Sequence, residues 1–204
     1  MNHRKEVLAF EVSLYNSYFT EDRIARFLQK VGTEQVTIYI VIVDSPVAHN
    51  LRAVGKSESY IDKKVRERSR NMANRCRRAI ETSGIEAIIV NWEAISSSGV
   101  YQSGVERFKK LYDQDVNFRV HARKVTADVL FNKLGVVAKE SQVDVAVSFL
   151  LEELSFFWWG DEILGEDNVV NVYHIEMEIL RNLISGVYDI TVRPQISHRV
   201  VAVE

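Results

Sequence analysis

An α/β fold on a mainly parallel sheet is predicted by three observations. Short β-branched and apolar runs alternate with longer segments of helical periodicity. One run, Val36 to Val43, is apolar almost throughout, as strands covered on both faces are. No internal repeat, linker or low-complexity segment interrupts the pattern, so residues 1–204 read as one domain.

In order, Val7 to Ser13 alternates Leu8, Phe10 and Val12 against Ala9, Glu11 and Ser13, the period of a strand. Thr20 caps an acidic first turn, Ile24, Phe27, Leu28 and Val31 form a helical stripe, and Gly32 stops it. Val36 to Val43 is the second strand, closed by Asp44-Ser45-Pro46, with a loop to about Ser57. From there to Gly84 no Pro or Gly intervenes, and Ile61, Val65, Met72, Cys76, Ala79 and Ile80 share one side of a long helix. Glu86 to Trp92 is a third strand, Val100 to Leu134 one or two helices, and Val143 to Phe157 another helix. Val169 to Tyr173 is the fourth strand, Ile175 to Ile184 a helix, and Tyr188 to Val192 the fifth strand before Pro194. The sum is a Rossmann-like, five-stranded, mainly parallel sheet flanked by helices. In such sheets ligands sit beyond the carboxyl ends of strands where strand order reverses, which points to Ser13 to Tyr18 and to Tyr173-His174.

Composition narrows the function. No apolar run approaches the roughly 18 to 20 residues of a membrane span, and the first residues lack a signal peptide's apolar stretch. With Cys76 as the sole cysteine, no disulfide framework or CxxC site can form. A soluble cytoplasmic chain is expected, without metal or cofactor and with no obligate protein partner. The nucleotide-binding motifs fail: no GxGxxG follows the first strand, and Asn50 stands where a phosphate loop ending in Gly55-Lys56-Ser57 needs its leading glycine.

Charge is unevenly placed. Lys63, Lys64, Arg66, Arg68, Arg70, Arg75, Arg77 and Arg78 against Glu67 give this stretch +7 in a chain of net −2, leaving −9 elsewhere. Between Glu140 and Glu178 there is no Lys or Arg. Cations crowded on one helix face repel unless an anion neutralises them, and two rows, Lys63, Arg66, Arg70, Arg77 and Lys64, Arg68, Arg75, Arg78, could follow a nucleic-acid backbone. Without interleaved aromatics, recognition of structured RNA by shape fits better than stacking on bases.

Glu11 to Phe19 reads Glu-Val-Ser-Leu-Tyr-Asn-Ser-Tyr-Phe, and its Ser-x-x-Asn-Ser-Tyr-Phe resembles the signature of the cyclodipeptide synthases. Glu153-Leu154-Ser155-Phe156-Phe157 followed by Tyr173-His174 resembles that family's Glu-Leu-Pro-Phe helix and Tyr-His, and the arginine-rich helix lies between the two matches. Asn16, Tyr173 and His174 resemble the subgroup named for those three residues. The resemblance implies a fold similar to class I aminoacyl-tRNA synthetase catalytic domains and a reaction that joins two aminoacyl-tRNAs into a cyclic dipeptide. It implies that Ser13 accepts the first aminoacyl group. Glu153 would hold the aminoacyl ammonium and assist proton transfer, Tyr173 would orient the amine or relay its proton, and Asn16 would hold the serine loop. Ester exchange is nearly isoenergetic and amide formation downhill, so no ATP is required.

Two departures accompany the match. Phe149 stands where the family usually has Tyr, one turn before Glu153, and Ser155 replaces Pro. Ala9, Glu11, Phe156 and Asn171, with Phe149 and His174, match the family's substrate-pocket positions. Those on the strands are commonly small or apolar, whereas Glu11 and Asn171 are polar, so a polar or basic first residue such as histidine is expected. Glu152 reads as a surface carboxylate. The rival reading is a non-catalytic or degenerate tRNA-binding protein.

Overall fold

The computed structural model describes residues 6–33, 35–135, 137–188, 190 and 197–201. Strands β1 (Glu6–Ser13), β2 (Val36–Val43), β3 (Ile88–Asn91), β4 (Val169–Tyr173) and β5 (Ser197–Val200) form one sheet in the order β3-β2-β1-β4-β5, with every pairing parallel. The predicted fold class is correct. Strand order reverses between β1 and β4, so the crevice at their carboxyl ends is the natural binding place.

Period-two alternation divides β1 between two cores. Leu8, Phe10 and Val12 pack with α1 (Glu21–Val31) and α3 (Glu58–Ser83), Phe10 stacking on Phe27 at 3.8 Å. Val7 and Ala9 turn to the other face, against Trp92, Tyr101 and Phe156. Thr20 caps α1 through a bond from the Arg23 N–H, and α3 ends where Gly84 takes a left-handed φ of 69°. Of the buried positions of α3, Ile61, Met72, Cys76 and Ala79 lie on the predicted stripe and Ala73 lies beside it, while Val65 and Ile80 are only partly buried.

Several elements depart from expectation. The segment after Asp44 contains a helix, α2 (Val47–Ala53), where a loop was expected. The third strand is shorter than Glu86 to Trp92: Trp92, completely buried, starts α4 (Trp92–Ser96). Val100 to Leu134 resolves into α5 (Gly99–Gln114) and α6 (Val116–Leu134), split at Asp115, whose carboxylate caps α6 by accepting from the Phe118 N–H. The next helix, α7 (Glu140–Leu164), extends past Phe157 through a break at Trp159, and α8 (Glu178–Ile184) begins three residues later than expected.

The fifth strand is the largest correction. It lies at Ser197–Val200, whereas Tyr188 sits in a bend following α8 and Ile190 is also outside any strand. Positions 189, 191 and 192 of the expected strand lie outside the described residues. Tyr188 and Ile190 alternate with polar neighbours because both bury in the cluster formed by Phe108, Phe118, Trp158 and Leu180, not because they pair in the sheet. The Tyr188 hydroxyl is held by His121 Nδ1 at 2.5 Å.

α5 and α7 approach closely at Gly104, where an added Cβ would stand 2.3 Å from Ser155 Oγ and 2.6 Å from the Trp159 ring. Gly104→Ala should therefore destabilise the protein by about 1–3 kcal/mol, read as a lowered urea midpoint with unchanged m-value. Among the described residues no helix is long and apolar enough to cross a membrane, and no three His, Cys, Asp or Glu side chains gather as metal ligands.

Candidate active site

Parallel register sets the site. Ala9 is opposite Asn171 and Phe10 opposite Val172, so Ala9, Glu11, Ser13, Asn171 and Tyr173 share the face covered by α7. Ser13 ends β1 and is buried. The chain then turns sharply, the Asn16 N–H donating to Ser13 O at 3.2 Å and the Phe19 N–H to Asn16 O at 3.3 Å. Asn16 fastens this loop at both ends of its amide. Its Oδ1 accepts from the Tyr18 N–H at 3.0 Å, and its Nδ2 donates to His174 Nε2 at 3.2 Å. That bond requires an unprotonated Nε2. The His174 ring also stacks on Tyr18 at 4.2 Å.

α7 supplies the other wall. Glu153 is buried, and Phe149, one turn earlier and half-buried, packs against the hydrophobic clusters on both sides of the sheet. Phe156 is completely buried, 5.7 Å from Trp92. Ser155 donates its hydroxyl to Tyr101 O at 3.1 Å, a bond that a proline could not make. A cavity of about 430 Å³ opens between these elements. Ser13, Asn16, Phe149, Glu153, Tyr173 and His174, far apart in sequence, all line it. Ala9, Glu11, Phe156 and Asn171 do not; they are sealed in the interior, Glu11 one strand step deeper than Ser13. Apolar lining comes from Leu51 of α2, Val125 and Val129 of α6, and Ala146 and Leu150 of α7, interspersed with Asn50 and Thr126.

Sequence reasoning missed part of this wall. Val47, Asn50 and Leu51 fell in a segment read as loop, although Val47 and Leu51 have helical spacing after Pro46. Thr126 was also missed; it is buried against the cavity with its hydroxyl unpartnered.

The interior is rich in acceptors. Glu11 is wholly buried, and among the described residues neither carboxyl oxygen has a hydrogen-bond partner. Burial, and secondarily the nearby Glu153, raise its pKa well above the usual carboxylate value, favouring the neutral acid. Asn171 donates to Phe157 O at 2.9 Å, but its Oδ1 is buried without a partner. Burial raises the Tyr173 pKa, as do Glu153 and Glu11, while a hydrogen bond with Asn16 works the other way.

The cations of α3 do not form two equal rows. Lys63, Arg66, Arg70 and Arg77 are exposed. In the second row, Lys64, Arg68 and Arg75 are half-buried and line a recess of about 240 Å³ beside Leu14. Arg68 stacks over the Tyr15 ring at 4.1 Å, with its buried Nε unpartnered. Arg75 donates to Phe19 O at 2.6 Å, and the exposed Arg78 pairs with Glu21 at 2.6 Å. Arg68 and Arg75 are thus tied to the loop that follows Ser13. Lys64 pairs with Glu67 at 3.0 Å. Glu152 is not a free surface carboxylate: it is about four-fifths buried and bonds His49 and Tyr101.

This arrangement matches known proteins along nearly its whole length. The family model for cyclodipeptide synthase matches residues 1–203. The chain is 23% identical over 184 residues to cyclo(L-leucyl-L-phenylalanyl) synthase of Streptomyces noursei, covering 88% of this chain and 77% of the relative. The structure of a CDPS from Staphylococcus haemolyticus superimposes with a TM-score of 0.82 at 17% identity, covering 98% of this chain and 92% of the other. A Mycobacterium tuberculosis protein, described as demonstrating that cyclodipeptide synthetases are related to type I tRNA synthetases, superimposes with a TM-score of 0.77 at 19% identity, over 98% and 86% of the respective chains.

Proposed function

The chain belongs to the cyclodipeptide synthase family, and from that premise we propose that it takes two aminoacyl-tRNAs and uses Ser13 as its acyl acceptor. The observation that carries this reading is that Ser13, Glu153 and Tyr173 line a single cavity. Ser13 Oγ attacks the ester carbonyl, the bond from acyl carbon to ribose oxygen breaks, and the serine proton leaves with the ribose hydroxyl. Two attacks of amine on ester then follow. The first joins the second aminoacyl group by an amide, and the second closes the ring. Together they release the second ribose hydroxyl and regenerate Ser13.

Each side chain has a distinct part. The Glu153 carboxylate pairs with the aminoacyl ammonium and takes its proton before attack, while Tyr173 orients that amine through its hydroxyl, which burial keeps protonated. Asn16 holds the serine loop to His174, which supports placing the chain in the Asn/Tyr/His subgroup. The first aminoacyl side chain enters beside Ser13, with Phe149 at the mouth, and points toward Glu11 and Asn171. These two, with Ala9 and Phe156, stand sealed behind the cavity wall, so that wall must yield when substrate binds. Three buried oxygens without partners among the described residues, one of them an O–H donor in the neutral Glu11 acid, call for polar partners, so the first residue is polar or basic, with histidine as the favoured case. The apolar lining from α2, α6 and α7 receives the second residue.

All eight cations of α3 serve the RNA in this reading. Lys63, Arg66, Arg70, Arg77 and Arg78 follow the phosphate backbone, and Lys64, Arg68 and Arg75 take the phosphate nearest the ester. Replacing Lys63, Arg66, Arg70 and Arg77 by alanine should weaken tRNA binding and reduce the slope of log K against log salt by about 0.7–0.9 per lost contact, measured by filter binding.

The test of the whole reading is incubation with mixed aminoacyl-tRNAs, followed by mass spectrometry for a diketopiperazine and for an acyl adduct on Ser13. One observation favours a second reading, a tRNA-binding homologue without transfer: Phe149 has no hydroxyl to offer the bound amine. Intact tRNA binding with neither adduct nor product would select it.

A further inference from the structure

Glu152 precedes Glu153 on α7, so its side chain leaves the helix about 100° away and does not line the cavity. Both its oxygens are engaged. Oε1 lies 2.7 Å from His49 Nε2, and Oε2 accepts the Tyr101 hydroxyl at 2.9 Å. The Tyr101 oxygen in turn accepts the Trp92 indole N–H at 3.0 Å. The chain of bonds therefore crosses four helices, from α2 through α7 and α5 to α4. Trp92 and Tyr101 are buried, and His49 and Glu152 are only 24% and 21% exposed.

What this chain holds is a wall of the cavity. α2 has seven residues and no side-chain bond at its N-cap, too little to form a helix without tertiary support. It nevertheless supplies Val47, Asn50 and Leu51 to the cavity. Two side-chain bonds tie it to α7: His49 to Glu152, and Gln142 Nε2 to Ala53 O at 2.9 Å. The first lands on the residue next to Glu153.

We propose that Glu152 is a positioning residue, which with His49 and Tyr101 fastens the α2 wall to the turn of α7 that presents Glu153. The proposal rests on the reading of Ser13 as acyl acceptor, because a displaced wall would misplace the ester carbonyl relative to Ser13. A misplacement of about an ångström is enough to cost up to about a hundredfold in rate.

The experiment uses the full chain with Glu152→Ala, Glu152→Gln and His49→Ala, the last removing the same bond from its more exposed side. Two quantities are read: amide hydrogen exchange over residues 47–53, and the single-turnover rate of Ser13 acylation at saturating aminoacyl-tRNA. Glu152→Ala and His49→Ala should speed exchange over α2 and slow acylation about ten- to a hundredfold with tRNA affinity within twofold of wild type. Glu152→Gln keeps an acceptor for Tyr101 and a partner for His49, and should recover most of both. Wild-type acylation in His49→Ala overturns the proposal, even if Glu152→Ala fails to fold. A wild-type chain that forms no adduct fails the Ser13 reading instead, and unchanged exchange over α2 in the variants then overturns the tether separately.

Discussion

Ser13→Ala is expected to leave no acyl adduct and to lower cyclic dipeptide formation by at least about a thousandfold, with tRNA binding unchanged. The size of the effect follows from chemistry. On the proposed reading, removing the hydroxyl removes the atom that stores the first aminoacyl group. Ser17 does not line the cavity, and Tyr173 is held protonated by burial and by two carboxyl groups, which makes it a poor nucleophile. Product mass spectrometry with a single-turnover adduct assay decides the matter. Product formation by Ser13→Ala at more than a few per cent of the wild-type rate would assign the acceptor role elsewhere.

Glu11→Leu is expected to invert amino-acid preference. On the proposed reading, an apolar first side chain leaves the buried Glu11 carboxyl group and Asn171 Oδ1 without polar partners. A site of that kind can reject an analogue lacking the donor by about 10⁴- to 10⁵-fold. The relative from Streptomyces noursei is named for leucyl and phenylalanyl products; in Glu11→Leu the discrimination against such residues should collapse, while use of a histidyl group falls. Competition between histidyl- and leucyl-tRNA, with products weighed, reads both changes. An exclusive wild-type preference for Leu or Phe sinks the assignment.

Glu11 also leaves a mark on stability. Its folded-state pKa is raised above the ordinary value of 4.5, so the folded chain holds this proton more tightly than the unfolded chain does. The resulting stabilisation is full below about pH 4.5 and is lost as pH rises from there through the folded-state value. Glu11→Gln, which cannot lose a proton, should melt above the wild type at neutral and mildly alkaline pH, with the gap closing toward pH 4.5. A pH series of thermal midpoints checks the sign.

The parts legible in the sequence were those written in local pattern. β1 and β2 announce themselves by period two and by a continuous β-branched run, and α3 by its stripe and its terminal Gly84. Ser13, Glu153 and Tyr173 could be named because each lies at an element end or on a helix with recognisable neighbours. What stayed hidden depends on tertiary contact. α2 is too short for periodicity to show, and His49 and Asn50 break its apolar pattern. Tyr188 and Ile190 imitate a strand because burial in a helical cluster also spaces apolar residues by two. Glu152 and Glu153 are identical side chains one residue apart, and only the placement of α2 and α5 separates a helix brace from a cavity wall. The inward turn of Arg68 and Arg75 is set likewise by the loop they meet.

The central position of β1 has a consequence for the order in which the molecule can be made. Its partner β4 begins at Val169, and Asn16 meets His174 across a separation of 158 residues. Pairings this distant close late in folding, after the local helices and the β1–β2 pair. On a ribosome, the nascent chain would carry Ser13 outside the tunnel for about ten seconds or more before Tyr173 is even synthesised. Through that interval β1 is a sheet edge and Ser13 has neither Glu153 nor its histidine-pinned loop, so on the proposed reading a half-made chain among charged tRNAs is chemically silent until the last third of the polypeptide is complete.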